Sequence, residues 1–231
     1  GFHTTAMCSR TRQAMLTGRN HHSVGMGAVA DMATAAPGYT SQRPNTAATI
    51  AETLRLNGYS TAQFGKCHEI PTWEWSPMGP FDRWPTGSGF EYFYGFIGGE
   101  TNQFFPSLTE GTAPVLPDRT PEEGYHFTDD IASRARRWLG QQRTLAADKP
   151  FFLYFAPGAT HAPIHLPDDW LDRYEGEFDR GWDVVREETF ARQKQLGVVP
   201  GDAELTLRHE GIPAWRDMPD DLKPVLSRQM E

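Results

Sequence analysis

Four side chains capable of chemistry stand beside signals for the start or end of regular structure. Cys8 lies in "MCSRTRQAMLTGRNHH", at the mouth of a helix signal; Lys66 and His68 close "STAQFGKCHE"; His161 follows "FFLYFAPGAT". A helix mouth offers free backbone N–H groups and the positive end of the macrodipole, which together attract negative charge. A cysteine placed there is a candidate nucleophile. Histidine exchanges protons near neutral pH, and an ammonium or guanidinium can hold an anionic group. Each residue also has a plain structural reading. Cys8, followed by Ala14, Leu16 and a turn at Gly18, equally fits a small buried hydrophobe, and a single Lys or His after a strand is commonly solvated.

The elements around these residues suggest how they are positioned. "TAATIAETLRLNGYS" has Ile50 and Leu54 at helical spacing, a polar cap before it and Gly58 after it, which predicts a helix. "STAQFGK" reads as a strand ending at Lys66. The stretch from Gly79 to Pro117 keeps neither period for long and is expected to be a long ordered loop. Thr128 is the expected cap of a helix through "DDIASRARRWLGQQR", with acids at its start and arginines toward its end. "KPFFLYFAP" is an apolar run between prolines, as in a strand buried on both faces. Alternating helices and buried strands predict an α/β fold with a mostly parallel central sheet flanked by helices. In such sheets functional sites gather where strands end, which would bring Lys66, His68 and His161 to one edge.

At 231 residues the chain suits one large domain. With 22 Lys and Arg against 30 Asp and Glu it offers no basic face for nucleic acid. Two cysteines, Cys8 and Cys67, form no disulfide framework, although one bridge between them is conceivable. No apolar run is long enough for a membrane span. A first residue Gly1, with the Cys8 motif following within a dozen residues, and a helix-like last stretch suggest an internal segment. The compartment, bacterial cytoplasm or periplasm, stays open.

Taken together, "CSRTRQAMLTGR", "FGKCH" and "THAP" resemble the sulfatase family, specifically the bacterial arylsulfatases of the alkaline-phosphatase-like superfamily. Cys8, Thr11, Arg12, Leu16, Thr17, Gly18 and Arg19 match its signature, and the later stretches follow in the family's order, so the resemblance covers nearly the whole chain. It implies an alkaline-phosphatase-like sheet incomplete at both ends, residues 1–231 being part of an N-terminal catalytic domain. It also implies hydrolysis of a small-molecule aryl or alkyl sulfate ester.

The nucleophile would be a formylglycine made from Cys8 by a maturation enzyme. Hydrated to a diol, it would attack sulfur with one hydroxyl and expel sulfate by collapse of the other. Arg12 would orient the diol, Lys66 would bind both the diol and a sulfate oxygen, and His68 would take the proton of the collapsing hydroxyl. His161 would meet the ester oxygen as donor or general acid. Arg10 stands where the family usually has proline, adding backbone freedom and charge to the stretch that the maturation enzyme reads.

Calcium is implied for the full-length parent, with ligands outside this chain. Asp129–Asp130 and Asp168–Asp169 read instead as acidic helix starts. His21 and His22 are expected in a loop or behind the site, and Cys67 with His68 lacks the paired spacing of a zinc site. The aromatics from Trp73 to Phe105 are read as packing a loop, with an aryl pocket as the alternative. Two other functions fit the same residues: phosphonate or phosphate ester hydrolysis on a similar anion-binding frame, and a noncatalytic anion-binding remnant.

Overall fold

Strand β1 (Ser60–Cys67) is buried at every residue, and the rest of the sheet is built around it. In the computed structural model, which describes residues 4–231, it pairs in parallel with β2 (Tyr92–Ile97) on one side and β5 (Phe151–Ala156) on the other. Two short strands, β3 (Leu108–Glu110) and β4 (Ala113–Val115), extend the β2 side antiparallel, giving the order β4-β3-β2-β1-β5. The expected α/β architecture is present, with helices on both faces. Helix α3 (Phe127–Leu145) sets Phe127, Ile131 and Ala135 against Ala62, Phe64, Tyr94 and Phe96 on one face. Helices α1 (Cys8–Thr17) and α2 (Ile50–Leu56) cover the other, where Leu16, Ala51 and Phe90 meet Phe152 and Tyr154.

Several expectations are corrected. The Gly79–Pro117 stretch holds three strands rather than a continuous loop: β2 is apolar toward both faces and so shows no alternation, while β3 and β4 are three residues each, too short for a period. In α2 the buried contact is Ala51, whereas Ile50 is 43% exposed; Thr49 caps the helix by accepting from Glu52 N–H at 3.1 Å. Helix α3 is capped by His126, whose Nδ1 accepts from Thr128 N–H, so Thr128 lies inside the helix rather than before it. Among the described residues strand β5 is an edge, with Phe151 50% and Phe155 39% exposed; an apolar run alone does not separate an edge strand from a central one. Asp130, in the first turn of α3, accepts hydrogen bonds from Tyr94 and Tyr125 hydroxyls at 2.6 and 2.9 Å. Burial, followed by this carboxylate, pushes both phenols above their ordinary range.

Residues 166–231 form a second compact unit. It contains α4 (Asp168–Leu171), α5 (Gly181–Gln195) and α6 (Lys223–Met230). Trp182 and Trp215 pack edge to face there, and Asp183 binds Trp215 N–H and Arg208. Gly181, at φ +79°, lies directly under the Trp215 ring, where a Cβ would not fit.

One backbone detail positions the end of β1. Gly65 has φ +105°, and a Cβ there would fall 2.0 Å from Ala156 O; its register partner Gly95 has equally little room, 1.8 Å from Gly65 O. Only glycine lets the strand make this turn immediately before Lys66. Gly65→Ala is therefore expected to destabilise the protein by at least about 1–3 kcal/mol from backbone conformation alone, measured as a lowered urea midpoint with an unchanged slope.

Candidate active site

Cys8 is the first residue of α1. Met7 precedes it in extended conformation and caps the helix with no side chain, and Gly18 (φ +65°) ends the helix through an N–H bond to Ala14 O. The cysteine is half-buried and borders an open cleft lined also by Met7, Arg12, Met15, Tyr154 and Phe155. Helix α1 and the C-terminal end of β1 thus meet at one point. His68, the residue after β1, places Nδ1 2.9 Å from Cys8 Sγ. Its Nε2 lies 2.5 Å from Asp31 Oδ2.

Arg12, one turn along α1, donates from Nη1 to Lys66 O at 3.0 Å and to Tyr154 OH at 3.1 Å, and lies 3.9 Å from Glu69 Oε1. The other Glu69 oxygen accepts from the Cys67 thiol at 3.0 Å. Burial pushes that thiol well up, with Glu69 adding to the shift, so Cys67 is a neutral donor. Lys66 is 2% exposed. Burial holds its ammonium below the usual lysine range and the Arg12 charge pushes the same way; Cys8 and Glu69 oppose them. His68 is likewise lowered, first by burial and then by Lys66, against Asp31 and Glu69.

Four of the five residues singled out from the sequence, Cys8, Arg12, Lys66 and His68, thus form one contact cluster. His161 sits in the loop after β5, exposed and outside this cluster, with Nδ1 donating to Ala162 O at 2.8 Å and Glu100 Oε2 lying 3.6 Å from the same nitrogen. Sequence reasoning passed over Asp31, Glu69 and Tyr154. Tyr154 had a usable signal, because alternation along β5 puts it on the α1 face with Phe152. Asp31 had none: it stands in an isolated 3-10 turn, Ala30–Met32. His21 and His22 lie in a 3-10 turn with ring centroids 4.2 Å apart, and His22 contacts Tyr39 OH at 3.2 Å. Among the aromatics of 73–105, Trp84 and Phe93 are buried with Cys67 and Ile70, which is packing.

The fold thus brings a cysteine and an arginine of one helix together with a lysine and a histidine at the end of a parallel strand. The sulfatase family model matches residues 1–217, and the chain belongs to that family. It is similar to an uncharacterised sulfatase of Schizosaccharomyces pombe, 28% identical over 248 residues, covering 100% of this chain and 43% of the relative. It is also similar to an arylsulfatase of Klebsiella aerogenes, 26% identical over 216 residues, 88% of this chain and 44% of that one. The chain therefore spans under half the length of these curated relatives. Among solved structures, Ps i-CgsB shares the fold with a TM-score of 0.59 at 22% identity, over 75% of this chain and 40% of that one. The PsFucS1 sulfatase from Pseudoalteromonas sp. does so with a TM-score of 0.52 at 18% identity, over 73% and 37%.

Two outcomes follow from this geometry. A Cβ on Gly99 would lie 2.9 Å from His68 Cε1. Gly99→Ala should therefore displace the imidazole and shift its NMR resonances while the α3 face of the sheet stays unchanged. Because the folded pKa of His68 lies below its unfolded value of 6.5, the unfolded chain binds more protons. This histidine's contribution to stability is complete above that value and is lost as pH falls from it through the folded pKa. His68→Gln should accordingly flatten the fall in urea midpoint between about pH 7.5 and 5.5.

Proposed function

We propose that this chain carries the nucleophile-bearing part of a sulfuric ester hydrolase acting on a small-molecule aryl or alkyl sulfate. The observation that carries the reading is the cluster of Cys8, Arg12, Lys66 and His68, of which Cys8 and Arg12 line an open cleft and Lys66 and His68 are buried behind them. Sulfate ester cleavage needs a nucleophile for sulfur, cations for the sulfuryl oxygens and proton-handling groups for the hydroxyls. A formylglycine at position 8, hydrated, supplies one hydroxyl to attack and a second whose collapse releases sulfate; a plain thiol has no equivalent of that second step.

The chain's own residues do the rest. His68 Nδ1, at hydrogen-bond distance from the side chain of residue 8, takes the proton of the collapsing hydroxyl. Lys66 is held against residue 8 inside the sheet and presents a partly desolvated ammonium, which attracts an anionic oxygen more strongly than an exposed one would. Arg12 is fixed in place by Lys66 O and Tyr154 OH, so its charge costs little reorganisation when anion density builds at sulfur. Glu69 limits the mutual repulsion of the two cations. His161 is assigned to the ester oxygen as hydrogen-bond donor or general acid, Lys66 and His161 together forming the substrate contacts.

Sulfatases generally use calcium as well as formylglycine. Among the described residues no three or more His, Cys, Asp or Glu side chains gather to hold a metal ion, and Asp130 is engaged by two tyrosines. The residues present do not fit the cation, and no step is routed through it.

Co-expression with a formylglycine-generating enzyme followed by peptide mass spectrometry is expected to show the aldehyde at residue 8. A thiol that persists overturns the formylglycine route and favours the anion-binding remnant. In the whole, converted protein, Lys66→Ala should lower kcat/KM on 4-nitrophenyl sulfate by about 10²–10³-fold. Faster turnover of an aryl phosphonate than of the sulfate would overturn the substrate class.

A further inference from the structure

We propose that Asp31 is a positioning residue that keeps the proton of neutral His68 on Nε2 and thereby makes Nδ1 the acceptor facing residue 8. The inference deepens the function proposed above, since it rests on residue 8 being the reacting group, but the geometry behind it stands apart from the identity of the substrate. Each nitrogen of the His68 ring has one partner: Asp31 Oδ2 at Nε2 and Cys8 Sγ at Nδ1. A carboxylate has no proton to donate, so Nε2 must be the donor, and a neutral imidazole then carries its lone pair on Nδ1. The step this permits is a proton transfer. The S–H or O–H of residue 8 loses its proton to Nδ1, the bonding pair stays on sulfur or oxygen, and the ring becomes an imidazolium whose charge faces the Asp31 carboxylate.

Two further contacts hold the arrangement. Ser9 follows Cys8 in α1 and is fully buried; its Oγ accepts from Ala30 N–H at 3.1 Å, tying the turn that bears Asp31 to the helix that bears Cys8. Gly99 lies against the ring, so close that a Cβ there would come 2.9 Å from its Cε1. The His68 side chain is 5% exposed, whereas the Asp31 side chain is 44% exposed, so replacing the carboxylate opens no core cavity.

The test uses the unconverted chain, with thiol at residue 8. Long-range ¹H–¹⁵N correlation is expected to show His68 with its proton on Nε2, Asp31→Ala to give a mixture of both tautomers, and Asp31→Glu to restore the Nε2–H form. In parallel, alkylation of Cys8 by iodoacetamide, read at its own peptide, should slow by on the order of tenfold in Asp31→Ala and recover in Asp31→Glu. Buried Cys67 serves as the unlabelled internal reference. A wild-type proton on Nδ1, or Asp31→Ala spectra and alkylation rates matching wild type, would overturn the role. Loss of sulfate ester turnover or of residue-8 conversion leaves these readouts intact, so the two proposals fail separately.

Discussion

The rest of the site follows from one electrostatic constraint: an ammonium and a guanidinium are brought together at the end of a strand with no exposed residue. Lys66 is almost wholly out of water, Arg12 adds a second positive charge, and both lower the tendency of the lysine to stay protonated. Such a pair persists only where neighbours compensate it. Glu69 supplies one carboxylate, backbone and phenol oxygens hold the guanidinium, and residue 8 faces the lysine from the helix start. What remains is a locally cation-rich pocket inside an acidic protein. The net charge of −8 and this cation-rich region are thus opposite in sign.

Backbone geometry makes the constraint possible. Gly65 and Gly95 let neighbouring strands close to a spacing no other residue tolerates, and the positive φ at Gly65 rotates the chain into Lys66, Cys67 and His68. The three residues then diverge: Lys66 toward Cys8, Cys67 into the apolar cluster with Trp84 and Phe93, and His68 toward Asp31. Two of the functional groups are thus separated by a residue whose thiol, held neutral against Glu69, belongs to the core.

The legible parts of the sequence were those with a local period or a contiguous motif. β1, the body of α3 and the helix at Cys8 could be read because capping residues, apolar spacing and glycine stops lie within a few residues of one another. β2 was hidden because a strand covered on both faces shows no alternation, and β3 and β4 were too short to show any. At the site, Cys8 and Arg12 share a helix and Lys66 and His68 share a strand end, so spacing alone brought each pair together. Asp31 and Glu69 enter through tertiary contact, and an aspartate in a short turn looks like any other until the fold sets it against an imidazole.

The edge position of β5 bears on how this polypeptide behaves in a test tube. Its outer side offers backbone N–H and C=O groups with no partner strand among the described residues, and Phe151 and Phe155 are exposed beside them. No proline or charged side chain interrupts the strand from Phe151 to Ala156. An uninterrupted apolar edge is a template for pairing with another chain, the feature that sheet proteins ordinarily blunt with lysine, proline or a bulge. Self-association through this strand would then set the concentration limit for handling the isolated polypeptide, and a single lysine at Phe151 or Phe155 would raise it.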